Sequence, residues 1–212
     1  GAHHARFAVT IAPDARPSQP YWRRAQDRDR HELLVPADET RPWSPPALVA
    51  RARCRIGGVP ATLRTPVAWR YDGPAVGGER RHELQVVPAL SLRLSPDVAA
   101  LPLLSPREPV EVRVFARNLA RGAAEAVVRL EAPPGWSVEP SSVLLRFSYE
   151  GEEVGARFRV SPPAVLAAGT VFLRAVAVRD GREHRETVQP VSYDHVERRQ
   201  LLRPAEARVL VL

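Results

Sequence analysis

The sequence predicts an all-β chain made of two tandem immunoglobulin-like β-sandwiches. Apolar and polar residues alternate in short runs, and turn residues separate these runs about every 8 to 12 positions, as in a sandwich. No segment sustains the 3.6-residue period of an amphipathic helix, so little helix is expected. At 212 residues the chain exceeds the roughly 100 residues of one sandwich, which favours two units.

The first unit is expected to span residues 1–88. The alternation within Phe7–Ile11 predicts a half-buried strand. Prolines are dense between Pro17 and Pro46, which predicts a long surface excursion because proline blocks strand pairing. Two further runs flank Gly57–Gly58, a hairpin signal. Trp69 shares the apolar phase of the second run and is predicted to lie in the core.

The second unit is expected to span residues 89–212. Pro88 interrupts a strand-like run, which places the boundary near Val87–Ala89. Asp180–Gly181 between two apolar runs is the strongest hairpin signal in the chain. Trp136 is in phase with apolar neighbours and is predicted to lie in the core, and Leu119–Ala126 is predicted to be a turn because Gly122 interrupts it. The remaining alternating runs predict the other strands of this unit.

The charged residues indicate solvated strand faces rather than a binding patch. The net charge is +7, and all 31 basic residues are arginines. Arg51, Arg53 and Arg55, like Arg157 and Arg159, alternate with apolar residues and so face solvent. Spread charge of this kind argues against a nucleic-acid partner. The lack of lysine excludes Schiff-base chemistry and a lysine-dependent phosphate loop.

The single cysteine excludes a disulfide and a multi-thiolate zinc site within one copy of the chain. Cys54 lies in an apolar phase and is predicted to be a buried, unreactive thiol. No run reaches the length of a membrane span, and the N-terminus carries no signal-peptide hydrophobic region. The lack of methionine leads us to expect a piece of a longer or processed polypeptide.

Several motifs suggest metal or catalytic chemistry without meeting its requirements. The sequence His-Glu-Leu occurs at His31 and His82, but a zincin needs a second histidine four residues on, and valine stands there in both cases. Asp27–His31 is expected to be a solvated charge run, the alternative being an oxygen-ligand cation site. Tyr193 and His195 are expected to make structural hydrogen bonds. No catalytic residue, metal or cofactor is therefore predicted.

Three aromatic residues in or beside the proline-rich excursion are the candidates for recognition: Tyr21, Trp22 and Trp43. Flat aromatic faces stack on sugar rings or dock against another domain. The alternative is that Trp22 and Trp43 cover the open end of the first sandwich as part of its core.

Several segments resemble a known family. In the second unit these are Ala132–Pro140, the hairpin expected after Phe147, and the closing segments Val191–Val196 and Leu202–Ala205; in the first they are Pro17–Trp22 and Ile56–Gly58. They resemble the immunoglobulin-like domain found beside bacterial alpha-galactosidases. Over nearly the whole chain they are most similar to the region that follows the catalytic domain in some bacterial LmbE-like (PIG-L) N-acetylglucosaminyl deacetylases. In those enzymes the zinc site belongs to a separate α/β domain, so the resemblance assigns no catalytic residue here.

The resemblance implies a non-catalytic accessory region whose partner is the deacetylase domain of the same polypeptide. A carbohydrate-binding module with its own glycan affinity is the alternative, and it predicts Trp22 or Trp43 exposed on a shallow groove. A hydrolase with an unrecognised site is the third hypothesis, which any turnover abolished by a single substitution would support. Export is an expectation for a partner of sugar-processing enzymes, and one cysteine fits either side of a bacterial membrane.

Overall fold

The computed structural model describes residues 4–12, 14–24, 30–41, 44–72, 78–103, 108–193 and 196–212. Its first strands are β1 (Trp22–Arg24), β2 (His31–Leu33), β3 (Val49–Ile56), β4 (Val59–Pro66), β5 (Ala68–Asp72) and β6 (Glu79–Glu83). The others are β7 (Leu90–Ser95), β8 (Val98–Leu101), β9 (Val110–Asn118), β10 (Ala124–Glu131), β11 (Ser137–Glu139), β12 (Val143–Phe147), β13 (Glu153–Ser161), β14 (Gly169–Arg179), β15 (Arg182–His184), β16 (Glu186–Tyr193), β17 (Val196–Pro204) and β18 (Glu206–Val211). Helix in these ranges is limited to one 3-10 turn, Pro36–Asp38. The prediction of an all-β chain is confirmed.

The chain divides into two compact units. One comprises Gly1–Val87 with Val191–Gln200, and the other comprises Pro88–Pro190 with Leu201–Leu212. The sequence places 191–200 in the second unit, whereas the structure groups this segment with the first.

Two sheets of the second unit form a sandwich. One sheet has the order β12-β10-β14-β18-β8, with β15 also pairing β14, and the other has the order β11-β13-β9-β7. Neighbouring strands are antiparallel, apart from β18 and β8, which run parallel. Strands β7, β9, β13 and β11 take the places of A, B, E and D in an immunoglobulin sandwich, and β10, β14 and β18 take those of C, F and G. The order is therefore immunoglobulin-like.

The core of the sandwich consists of alternate side chains from both sheets. Along β9 and β13 the buried positions recur every second residue, because successive strand side chains point to opposite faces. Among the side chains that are less than 2% exposed, the largest is Phe158 on one sheet and Leu173 on the other, at 1% and 0% exposure. Trp136 is half-buried and packs against this core, as its phase predicts.

The turns between strands follow local sequence rules in two cases and not in a third. Gly57–Gly58 joins β3 to β4, and Asp180–Gly181 joins β14 to β15 with positive φ angles of 50° and 74°. Both hairpin predictions are confirmed. The turn that follows Phe147 is not a hairpin, because β12 pairs with β10 while β13 pairs with β9 in the other sheet. The chain crosses from one sheet to the other at this turn.

The only asparagine of the chain, Asn118, ties the loops together at one end of the sandwich. Its side chain is fully buried. The Nδ2 group donates to the carbonyls of Gly122, at 2.9 Å, and Tyr149, at 3.1 Å. The Oδ1 atom accepts from the backbone N–H of Ala120 and from Nη1 of Arg179, both at 3.1 Å. One amide thus connects the β9–β10 turn, the turn after β12 and the end of β14.

The backbone of Asn118 continues this connection. Its N–H donates to the carbonyl of Glu152 at 2.9 Å, and its carbonyl accepts from the N–H of Gly151 at 2.7 Å. Buried polar groups of a loop need such partners, since each one left unpaired in the interior costs about 1–3 kcal/mol. The loop end is therefore a hydrogen-bonded part of the fold and not a free connection.

The first unit consists of paired strands without a buried apolar residue among its described positions. Strands β1 and β2, β3 and β4, and β5 and β6 each form a two-stranded antiparallel sheet. The buried hydrophobic residues of the described chain all lie between Leu90 and Val211. The strand predicted over Phe7–Ile11 is absent from the structure, where Phe7 is 83% exposed. This prediction was wrong because alternation shows that residues share a face but not that a second surface covers it.

Replacing Asn118 with alanine is expected to lower the free energy of unfolding by about 3 kcal/mol, because two carbonyls and one N–H lose their partner in a buried site. Urea unfolding followed by circular dichroism measures the change. Gln189→Ala, which removes an exposed amide from β16, serves as the control and should change stability by less than about 0.5 kcal/mol. Equal losses in the two variants would contradict the role assigned to Asn118.

Candidate functional site

Of the three aromatic residues predicted from the sequence, the structure describes two, and one of these, Trp22, lies in a small two-stranded sheet. Tyr21 is half-buried, and its hydroxyl donates to the carbonyl of Arg41 at 2.9 Å. Trp22, on β1, is 39% exposed and meets His31 of β2 edge-on, with 4.7 Å between the ring centroids. Trp43 lies outside the described residues. Tyr21 therefore holds a loop in place, and of the two described candidates Trp22 is the more open to a ligand.

A second aromatic pair was not predicted as a site. Trp69 and Tyr71, on β5, lie with their ring centroids 4.7 Å apart and their planes at 22°. Trp69 is 61% exposed and Tyr71 is 36% exposed, so the prediction that Trp69 lies in the core was wrong. Their shared phase was visible in the sequence, and the missing information was that this face of the hairpin is uncovered.

The β3–β4 hairpin has one apolar face and one charged face. Its register places a row of apolar residues on one side of the ribbon: Ala50, Ala52, Cys54 and Ile56 on β3, with Val59, Ala61 and Leu63 on β4. Ile56, Val59 and Leu63 are 62%, 66% and 56% exposed. The other side carries Arg51, Arg53, Arg55 and Arg64. We call the apolar row the β3–β4 apolar face.

Cys54 lies at the middle of this apolar face. It is a free thiol and is half-buried, opposite Ala61 in the register. The sequence predicts a buried thiol, and the structure shows a partly accessible one.

Among the described residues, the motifs that suggest metal binding do not assemble a site. His31 and His82 each lie in a strand, β2 and β6, so the His-Glu-Leu repeats do not form the helix that a zincin requires. Within the part of the chain that the structure describes, no three His, Cys, Asp or Glu side chains come together as metal ligands. Asp27, Asp29 and His195 lie outside the described residues, and Tyr193 is 62% exposed.

An open groove of about 560 Å³ lies on the outer side of the β11-β13-β9-β7 sheet. Its polar lining combines carboxylates with arginines: Glu108, Glu111, Glu139, Arg157 and Arg159. Glu111 accepts a hydrogen bond from Nε of Arg113 at 3.3 Å. The described lining includes neither a histidine nor a hydroxyl or thiol nucleophile, so it offers no nucleophile–base pair. Arg157 and Arg159 are exposed, as the alternation predicts.

Four charged residues form a closed cluster between β10 and the segment that follows β14. Arg185 contacts Glu131 with two nitrogens, Nη1 to Oε2 at 2.7 Å and Nη2 to Oε1 at 2.9 Å. Arg129 Nη2 donates to Oε1 of Glu183 at 2.7 Å, and Arg185 Nε donates to Oε2 of Glu183 at 3.0 Å. Two positive and two negative charges thus satisfy one another, which indicates a structural cluster and not a ligand site.

These contacts shift the titration of both carboxylates. Hydrogen bonds from Arg185 hold the pKa of Glu131 below its ordinary value, and hydrogen bonds from Arg129, then Arg185, do the same for Glu183. Burial lowers the pKa of the half-buried His184 imidazole, which follows Glu183 on β15. The cluster therefore keeps both carboxylates ionised to a lower pH than free glutamates.

Comparisons with known proteins identify neither a family nor a curated relative: no family model and no curated protein match the sequence. Among solved structures, a FixG-related protein from Vibrio parahaemolyticus is 10% identical, with a TM-score of 0.38 over 59% of this chain and 98% of that chain. The apo form of the Calx CBD1 domain is 16% identical, with a TM-score of 0.33 over 59% and 97%. PapD-like domain 7 of human CEP192 is 9% identical, with a TM-score of 0.33 over 60% and 89%. We base the fold on the strand order and draw no function from these similarities.

The described residues contain no helix with the length and apolar character needed to cross a membrane.

Arg185→Gln is expected to reduce the free energy of unfolding at neutral pH and to have less effect as the solution is acidified. The pKa of Glu131 and Glu183 is lowered in the folded state, so their stabilising contribution is present above the unfolded value of about 4.3 and is lost as the pH falls through the lower folded value. Urea unfolding of both proteins from about pH 7 to about pH 3 measures the difference.

The control for this measurement is Arg157→Gln, which changes an exposed arginine on β13 outside the cluster. For this variant, the difference from wild type in the free energy of unfolding should not become smaller as the solution is acidified. If the difference in the free energy of unfolding between wild type and Arg185→Gln were constant over the whole pH range, Arg185 would not stabilise the ionised carboxylates.

Proposed function

We propose that this chain is a non-catalytic accessory region of a bacterial LmbE-like sugar deacetylase and that it docks against the catalytic domain of the same polypeptide. The β3–β4 apolar face is the observation that carries the proposal. The resemblance of the sequence segments to that family supplies the class of partner.

The β3–β4 apolar face needs a covering surface. A two-stranded hairpin alone is marginally stable in water, and stability requires further strands or packing of its apolar face. Seven apolar residues in two adjacent rows form one continuous face here, and Ile56, Val59 and Leu63 are each more than half exposed. Contiguous exposed apolar surface of this kind marks interaction sites in soluble proteins.

The chemistry of the face favours a protein surface as its partner. Its members are aliphatic side chains and one thiol, and within the rows from Ala50 to Ile56 and from Val59 to Leu63 no side chain on this side carries a hydroxyl, amide or charge. Apart from the hydroxyl of Thr65, which lies opposite Ala50 at the end of the ribbon, a hydrophilic ligand would find no hydrogen-bonding group there. The core of a protein interface is depleted of charge in the same way. The four arginines on the opposite side stay in water when the apolar side is covered, so the ribbon docks with one defined side.

The described residues support a non-catalytic role. They bring together no metal-ligand group, and the groove on the β11-β13-β9-β7 sheet has no nucleophile–base pair in its described lining. Positioning of a partner is consistent with these observations, and carbohydrate binding is the alternative function. The exposure of two tryptophans of the first unit, Trp22 and Trp69, favours this alternative, since a module with glycan affinity needs an accessible aromatic face.

Leu63→Asp is expected to weaken binding of this chain to the separately produced deacetylase domain by about tenfold or more, because a carboxylate would be buried without a partner in the middle of the interface. Titration calorimetry with the purified domain measures the affinity. The matched control is Thr62→Asp, which places the same charge one residue away on the arginine side of the ribbon.

The control variant should bind like the wild type, because its carboxylate faces solvent. No binding of the wild-type chain to the catalytic domain, or equal losses in the two variants, would overturn the docking proposal.

A further inference from the structure

The exposed pair Trp69 and Tyr71 forms a small aromatic platform on the β5–β6 hairpin. The two rings stack at 22° with 4.7 Å between centroids, so each keeps one face that the other ring does not cover. Trp69 has 61% of its surface exposed, more than any other described tryptophan. A stacked neighbour holds the indole in place, so less conformational entropy is lost when a ligand binds. The platform is therefore exposed and preorganised.

Polar side chains flank the rings on the same side of the hairpin. His82 lies opposite Trp69 in the register, and Arg80 lies opposite Tyr71, both half-buried. Together with the Tyr71 hydroxyl they place hydrogen-bonding groups at the edge of an apolar surface. The polar groups thus surround the platform and do not interrupt it.

The other side of this hairpin is occupied by ion pairs. Glu79 contacts Arg70, and its Oε1 lies 2.9 Å from Nε of Arg81. Both arginines on that side thus have a carboxylate partner within the hairpin. The aromatic side itself carries no carboxylate among Trp69, Tyr71, Arg80 and His82, so it does not select a cationic ligand.

This combination matches the surface of a sugar ring. A pyranose with equatorial hydroxyls presents an apolar face of axial C–H groups and a rim of hydroxyls, which fits a flat aromatic face with polar groups at its edge. Paired strands lie about 4.8 Å apart, so the hairpin is about as wide as one sugar ring. The β3–β4 apolar face, by contrast, offers no polar rim and no aromatic ring.

We propose that the Trp69–Tyr71 platform binds a pyranose unit of a neutral, equatorially substituted oligosaccharide. Trp69 supplies the stacking face, Tyr71 supports it, and His82 and Arg80 contact hydroxyls at the rim. The proposal rests on the alternative function, glycan affinity, and moves the binding surface from Trp22 to β5. It is independent of docking through the β3–β4 apolar face, because the two surfaces share no residue.

Titration calorimetry of the 212-residue chain with cellohexaose and with the hexamer of N-acetylglucosamine tests the proposal. Trp69→Ala is expected to weaken binding by about tenfold or more, since loss of one stacked aromatic contact accounts for about one decade in affinity. Trp69→Phe keeps a smaller flat face and should lose less. Saturation-transfer NMR on the bound saccharide should show its axial ring protons closest to the protein.

The matched control is Trp22→Ala, which removes the other described exposed tryptophan and should leave saccharide binding unchanged. Failure of both hexasaccharides to bind the wild-type chain would overturn the proposal, as would equal affinity of wild type and Trp69→Ala. Equal losses in Trp22→Ala and Trp69→Ala would also overturn it, because the site would not be specific to β5. Leu63→Asp should bind saccharide normally, so this test and the docking test fail independently.

Discussion

An apolar face on a β-ribbon has to be covered, and this requirement determines how the two units of the chain differ. The second unit meets the requirement internally, because the inward rows of the β9 sheet and of the β14 sheet cover each other. In the described part of the first unit the apolar residues of the ribbons stay exposed or only half-buried. A sandwich that closes on itself needs no partner, whereas open ribbons acquire their stability from whatever covers them. The burial of apolar surface therefore gives one unit a closed core and leaves apolar strand faces of the other unit uncovered.

Much of the second unit could be predicted from local pattern. Burial at every second position follows from strand geometry, and the Asp180–Gly181 turn follows from the positive φ angles that both residues adopt. Which strands pair could not be predicted in this way. The turn after Phe147 has the local features of a hairpin. The chain nevertheless crosses to the other sheet there, because β12 pairs with β10 whereas β13 pairs with β9. Sheet membership is a long-range property that a short window of sequence does not contain.

The candidate sites were harder to predict, for the same reason. The alternation around Trp69 correctly indicates that Trp69 and Tyr71 share a face, yet a core strand and an uncovered strand have the same alternation. Trp22, chosen because of its proline-rich surroundings, is exposed, and Tyr21 beside it supports a loop. The sequence distinguishes Asn118 only as the single asparagine of the chain. Its partners lie as far as 61 residues along the chain, so its role could not be derived from its neighbours.

The position of Cys54 gives the β3–β4 apolar face a built-in chemical reporter. The chain has one cysteine, and that thiol lies half-buried in the row that a docked partner would cover. A thiol is alkylated through its thiolate, and only while the reagent can reach the sulfur, so at a fixed pH the rate depends on access. With no lysine present, labelling of side-chain amines does not contribute to the signal. The rate of alkylation at a single sulfur atom thus measures how much of the time this face is open to solvent, in the isolated chain or in a larger assembly.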